Sequence, residues 1–219
     1  MQHPTDTPIR LLLIGDSIAD CGRARPVGEG FPDALGGGYP KLLDAMTKVE
    51  HPAWRLNLIN MATSGDRSRD LVARWQTDCL AQEPDLVLVM IGINDVWRHF
   101  DSPLQPQTWV SLTEYEENLR RMAADTRAAG AKILFASPYY LESNAADPMR
   151  AMTDAYRARM VAVAQELDIP YVDTQRPFDA LLDVYSTYCF SGDRVHPNSV
   201  AQYVIARELL RMLETLFQA

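Results

Sequence analysis

The side chains best suited to chemistry stand near opposite ends of the chain. They are Ser17 in Gly15-Asp16-Ser17-Ile18, and Asp193 and His196 in Asp193-Arg194-Val195-His196-Pro197. A serine hydroxyl is a poor nucleophile until a base removes its proton during attack. His196 fits that task. Asp193, three residues earlier, can meet its imidazole across one turn of chain, fix the tautomer and stabilise the imidazolium. Acyl transfer also needs donors for the developing oxyanion, and losing one donor typically costs about 10² to 10³ in rate. The candidates are the Ser17 backbone N–H, the Gly65 N–H, which no Cβ obstructs, and the Asn94 side-chain amide.

Each piece has a plainer explanation when taken singly. Gly-Asp-Ser after a strand is usually a turn with a helix cap. Asp-x-x-His is more often surface or structural, and both Ser64-Gly65 and Gly92-Ile-Asn-Asp95 could be tight turns. Their weight is joint, and it depends on the elements that present them.

Five apolar runs read as strands: Arg10–Ile14, Arg55–Ile59, Asp85–Ile91, Lys132–Ala136 and Ile169–Val172. Each ends in polar or loop-forming residues, as strands buried on both faces do. Helical patterns lie between them. Thr113-Glu-Tyr-Glu116 fits a capping box before Leu119, Met122 and Ala123, with Gly130 as a stop. Others run from Leu71 to Leu80, from after Asp147-Pro148 to about Leu167, and from about Ser199 through Leu216. Strand and helix alternate throughout, so the expectation is one α/β domain over residues 1–219, with a five-stranded parallel sheet covered on both faces. Ligands of such sheets bind outside the carboxyl ends of the strands. Ser17, Ser64-Gly65 and Asn94 follow the first three strands, and Asp193 and His196 precede the last helix. The Gly/Pro-rich stretch Gly22–Gly38 reads as a long loop over that same edge.

Composition narrows the field. The chain is 47% hydrophobic and carries a formal net charge of −8, which leaves no basic footprint for nucleic acid or anionic lipid. The first residues have neither a basic nor a long apolar segment, so they do not read as a secretory signal. No apolar run reaches the roughly 18 to 20 residues that span a bilayer. Cys21, Cys79 and Cys189 are odd in number and widely spaced. They fit small buried thiols in a reducing cytoplasm, not a disulfide framework or a zinc site. His3, His51 and His99 stand isolated, so neither metal nor cofactor is expected.

With these blocks in order, the chain resembles the SGNH (GDSL-type) hydrolases. The family's letters fall on Ser17, Gly65, Asn94 and His196. The resemblance implies a flavodoxin-like three-layer α/β/α sandwich. It also implies Ser17 as nucleophile, His196 as base with Asp193 as partner, and Ser17, Gly65 and Asn94 as the oxyanion hole. A narrower resemblance is to the intracellular acetylxylan esterases of this superfamily. It is carried by Cys21–Pro26, Gly92–Arg98, Asp147–Arg150 and Val172–Gln175, and it implies acetylated xylo-oligosaccharides as substrate. Two positions depart from the pattern: Ala19 stands where many members have Thr, and Ala62 where Gly is usual. The Gly-x-Ser-x-Gly elbow of α/β-hydrolases is absent.

Asp16, Trp97, Arg98, Tyr139 and Tyr140 are the candidates for contact with substrate. The rings can stack on a sugar face, whereas Asp16 is expected chiefly to hold the turn. Asp20, Arg23 and Arg25 are expected to tie down the Gly-rich loop, and Trp109 is a candidate for self-association. Two alternatives stay open. One is a less selective lipolytic, aryl- or thioester esterase of the same superfamily. The other is a non-catalytic flavodoxin-like module holding a phosphate, for which Gly36-Gly-Gly38 is the only run on offer.

Overall fold

Apolar runs at five places become the strands of one sheet in the computed structural model, which describes residues 8–218. The strands are β1 (Ile9–Gly15), β2 (Leu56–Asn60), β3 (Leu86–Met90), β4 (Lys132–Ala136) and β5 (Tyr171–Val172). All pair in parallel, in the order β2-β1-β3-β4-β5. Leu11 aligns with Leu58 on one side and Leu86 on the other. The run Leu11–Ile14 has no exposed surface, which is why these strands read as unbroken apolar runs with no polar alternation.

The helices are α1 (Ser17–Asp20), α2 (Tyr39–Glu50), α3 (Ser68–Arg74), α4 (Ile93–Asp101), α5 (Leu112–Ala128), α6 (Pro148–Glu166), α7 (Gln175–Leu182) and α8 (Ser199–Gln218). Right-handed crossovers force the layers. The chain moves outward from β1 to β2 and then back past β1 to β3, so the covering helix must change face. Accordingly α2 packs on α8, while α3, α5 and α6 pack on one another across the sheet. This is the flavodoxin-like strand order, whose switch point lies between β1 and β3.

Several expectations need correcting. Helix α5 is capped by Ser111, whose hydroxyl accepts the Glu114 N–H at 3.1 Å. The Thr113–Glu116 box does not form, because Thr113 already lies inside the helix and the Glu116 carboxylate is drawn to Arg120 and Arg159. The Leu71–Leu80 helix begins earlier, at Ser68, and after Arg74 it widens into a π turn over Trp75–Cys79. Helices α1, α2, α4 and α7 are additional.

Cys79 is buried and Cys21 partly so, but Cys189 is exposed on the turn before Phe190. His51 is not isolated. Its ring stacks on Trp54 at 3.9 Å and its Nε2 lies 2.8 Å from Glu214 Oε1, beside Glu50. His99 stacks on Trp109 at 4.7 Å. Trp109 is thereby half-buried and its indole N–H donates to the Ser102 carbonyl, so it is not a free ring for an interface. His3 lies outside the described residues. Among those residues, no helix is long and apolar enough to cross a membrane.

Candidate active site

The site grows out of the switch point. A Cβ on Gly15 would lie 2.2 Å from the Met90 carbonyl oxygen, so glycine lets the end of β1 close onto β3. The next residue, Asp16, is extended, and its carboxylate accepts the Ile18 N–H at 3.0 Å to start α1. That cap presents Ser17, half-buried, at the carboxyl edge of the sheet. Asp16 itself is only 2% exposed and turns its carboxylate to the Ile18 N–H, so it holds the turn that presents Ser17. Burial above all pushes its carboxyl up to about 7. The Ile18 N–H opposes the rise, and the Asp95 and Asp66 carboxylates add to it.

The chain returns to Ser17 after 179 residues, with Ser17 Oγ 2.9 Å from His196 Nε2. His196 Nδ1 lies 2.6 Å from Asp193 Oδ2. The other oxygen, Asp193 Oδ1, accepts from the Ser191 hydroxyl (3.0 Å), the Val195 N–H (3.0 Å) and the His196 N–H (2.8 Å). Partial burial works to raise this carboxyl. The His196 side chain and these donors outweigh it and hold Asp193 at about 2. An ionised carboxylate on Nδ1–H keeps the Nε2 lone pair facing the hydroxyl.

Residues after β4 brace this segment. The Tyr139 hydroxyl donates to the Val195 carbonyl at 3.1 Å, and the Leu141 N–H donates to the Arg194 carbonyl at 2.9 Å. Tyr139 has no exposed surface and packs on Phe178 at 4.8 Å, while Tyr140 is 7% exposed. The expectation that these two rings stack on a sugar is therefore corrected. They face inward because α7 packs Phe178 on Tyr139 and holds the Tyr140 N–H with the Gln175 side chain at 2.7 Å. Trp97 is half-buried, its ring 5.7 Å from the His196 imidazole. Arg98 lies beside it on α4 and reaches back to Asn94.

Three donors stand at the same edge of the sheet. The Ser17 and Gly65 N–H groups donate to no acceptor among the described residues. Asn94 is the second residue of α4 and 2% exposed. Its amide donates to the Asp66 carbonyl at 3.0 Å, which leaves its second hydrogen free. Helix α4 can begin there because Gly92 takes φ +134, where a Cβ would lie 2.8 Å from the Tyr115 hydroxyl.

The Gly65 loop is tied to the helix that bears Ser17. Asp20 Oδ2 accepts the Ser64 N–H (2.9 Å), the Ser64 hydroxyl (2.8 Å) and an Arg25 N–H (2.8 Å). Arg23 donates to the Ala62, Ala24 and Pro26 carbonyls. Asn60 bridges the Ala19 and Leu35 carbonyls with its amide and accepts the Ala62 N–H. Asp66, Asn60 and Ser191 were not singled out from the sequence. The only signal for them was nearness to the motif blocks.

The arrangement can abstract a proton from Ser17 and receive an oxyanion nearby. It offers no phosphate cradle at Gly36–Gly38, where the Gly36 N–H is taken by Asp33 and the Gly37 N–H by Cys21.

Residues 13–202 match the GDSL-like Lipase/Acylhydrolase family. The chain is similar to an acetylxylan esterase from Geobacillus stearothermophilus, 42% identical over 202 residues that cover 92% of each protein. It is also similar to thioesterase 1/protease 1/lysophospholipase L1 of Escherichia coli (strain K12), 28% identical over 94% of this chain and 84% of that one. The crystal structure of the Geobacillus acetylxylan esterase matches with a TM-score of 0.91 at 41% identity, covering 94% of both chains. An alpha/beta hydrolase from the metagenome of Lake Arreo, Spain, matches with a TM-score of 0.90 at 42% identity, over 93% of this chain and 94% of that one. Structures described as catalytic mutants of the Geobacillus enzyme replace a serine, an aspartate and a histidine by alanine.

Proposed function

The chain belongs to the GDSL-like lipase/acylhydrolase family, and from that premise we propose that it removes acetyl groups from xylo-oligosaccharides or related acetylated sugars through an acyl-Ser17 intermediate. One observation carries the reading above the rest. It is the continuous chain Ser17 Oγ–His196 Nε2 (2.9 Å) and His196 Nδ1–Asp193 Oδ2 (2.6 Å), beside unused N–H groups.

Ser17 Oγ attacks the acetyl carbonyl carbon while His196 Nε2 takes the hydroxyl proton. The carbonyl π electrons move onto oxygen, and that oxyanion meets the Ser17 N–H, the Gly65 N–H and the free Asn94 amide hydrogen. Collapse breaks the bond to the sugar oxygen, which leaves with the proton from His196. A water then attacks acetyl-Ser17, again losing a proton to His196. Acetate departs and Ser17 regains its hydrogen. Asp193 stays ionised throughout and stabilises the imidazolium.

The setting suits a small acyl group on a bulky alcohol. The His196 side chain is 45% exposed and Gly65 lies at the surface, so the sugar can remain largely in solvent while only the acetyl group enters. A cytoplasmic location is in keeping with three unpaired cysteines. The partner is the small substrate, with neither nucleic acid nor membrane involved.

Ser17→Ala is expected to abolish hydrolysis of 4-nitrophenyl acetate with the fold intact, and a serine-directed organophosphonate is expected to add its mass at Ser17. Retained turnover or labelling elsewhere would overturn the nucleophile. The substrate is tested by comparing acetylated xylo-oligosaccharides with acetyl, butanoyl and octanoyl esters of one alcohol. A preference for the octanoyl ester would favour the broader esterase instead.

A further inference from the structure

Arg98 occupies an unusual place beside the oxyanion donors. Its side chain is 28% exposed, with Nη1 2.8 Å from Asp101 Oδ2. Its Nη2 donates to Asn94 Oδ1 at 3.4 Å, and its guanidinium carbon lies 5.4 Å from the Trp97 ring centroid. Its Nε is buried with no hydrogen-bond partner among the described residues. A buried unpaired donor works against stability and asks for an explanation.

The Asn94 amide, which Nη2 meets, gives the guanidinium a reason to sit there. An amide can be turned about its last torsion to exchange oxygen and nitrogen, and only one of the two orientations offers an N–H to an oxyanion. The other presents lone pairs to a negative charge. Two contacts select between them. The Asp66 carbonyl accepts from Nδ2 at 3.0 Å, and Arg98 donates to Oδ1. In the reversed orientation, oxygen would face the Asp66 carbonyl and the NH₂ would face the guanidinium, so both contacts would become repulsive. A cation on Oδ1 also draws electron density from the amide and makes its remaining N–H a stronger donor.

We propose that Arg98 is a positioning residue of the esterase reaction, holding the Asn94 amide in the one orientation that donates to the oxyanion. This rests on the reading of Asn94 as an oxyanion donor. Arg98 thus acts through Asn94 and leaves the sugar to other groups.

The test is a double-mutant cycle with 4-nitrophenyl acetate, using Arg98→Met, Arg98→Lys, Asn94→Ala and the Asn94→Ala/Arg98→Met pair. Arg98→Met is expected to lower kcat by about ten- to thirtyfold, with KM held within about twofold, as for an interaction made only in the transition state. Arg98→Lys should recover part of the loss, since a charge remains near Oδ1. In the Asn94→Ala background, Arg98→Met should cost almost nothing further. Asp101→Asn, which weakens the ion pair but leaves the Asn94 contact, should lower thermal stability with kcat close to the parent's.

Effects that multiply in the double variant would overturn the role of Arg98 while leaving Asn94 in place. So would a loss confined to KM, or an Asp101→Asn variant as slow as Arg98→Met. An Asn94→Ala variant with undiminished kcat would overturn the oxyanion reading and the proposal together.

Discussion

Replacing Asp193 by asparagine changes almost no volume, yet it should nearly silence the enzyme, and the geometry says why. Asp193 Oδ1 receives three donors, the Ser191 hydroxyl and the N–H groups of Val195 and His196. An asparagine must keep its oxygen there, because its NH₂ would otherwise meet two backbone N–H groups. The NH₂ is then turned toward His196 Nδ1, in place of the oxygen now 2.6 Å away. Nδ1 becomes an acceptor, the ring proton moves to Nε2, and Nε2 points a hydrogen at Ser17 Oγ. The base has lost its lone pair. In a triad of this type that tautomer error lowers kcat by about 10⁴, or about 5 kcal/mol of transition-state stabilisation.

The assay is steady-state hydrolysis of 4-nitrophenyl acetate across a pH series, with thermal unfolding followed alongside. Asp193→Asn should unfold near the parent's temperature, since the Oδ1 bonds survive, and should be no more active than Asp193→Ala. Its residual rate should climb with hydroxide concentration. An asparagine variant within tenfold of the parent's kcat would refute the tautomer argument.

Other perturbations separate support from chemistry. Gly92→Ala places a Cβ 2.8 Å from the Tyr115 hydroxyl at φ +134. It should cost roughly 1–3 kcal/mol of stability and lower kcat by displacing Asn94, read by denaturant unfolding and steady-state kinetics. Tyr139→Phe removes the 3.1 Å bond to the Val195 carbonyl and should cost about 1 kcal/mol. A rise in KM confined to sugar esters would instead show that the ring meets substrate. Asp16→Asn keeps an acceptor for the Ile18 N–H but cannot ionise. Because burial lifts Asp16 from 3.8 to about 7, the folded parent holds a proton over that range that the unfolded chain has lost. The parent's stability therefore falls as pH rises from about 4 to 7. The thermal advantage of Asp16→Asn should widen across that window and level off above it, and a difference independent of pH would count against the buried acid.

The strands were the most legible part of the fold. Leu11–Ile14 and Leu86–Met90 are buried on both faces, so their runs of aliphatic residues carry the signal without help from the rest of the chain. Three of the four helices that the sequence does not announce begin without a side-chain cap. Gly38 caps α2, Gly92 caps α4, and Thr174 caps α7 without a hydrogen bond. In α5 the cap is Ser111, two residues before the Thr113 that the capping-box pattern singles out. Within the site, Ser17, Gly65, Asn94, Asp193 and His196 could be named because each follows a strand or precedes a helix in a block with chemical character. Tyr139 and Tyr140 could not be oriented in the same way. Position at the end of β4 places them at the same edge as Ser17, but the docking of α7, with Phe178 on Tyr139 and Gln175 on the Tyr140 N–H, decides that they turn inward.

The stitch between the two ends of the chain also bears on how the protein is made. Gln202 on α8 accepts the Tyr39 N–H at 2.7 Å and donates to the Ile18 carbonyl at 3.2 Å. The helix that follows His196 is thus moored on the segment bearing Ser17. A ribosome emits Ser17 179 residues before His196. Until α8 leaves the exit tunnel and seats itself, Ser17 is an ordinary alcohol. On the reading of Ser17 as nucleophile, a nascent or truncated chain therefore cannot hydrolyse esters in passing, and the first turnover announces that α8 is seated.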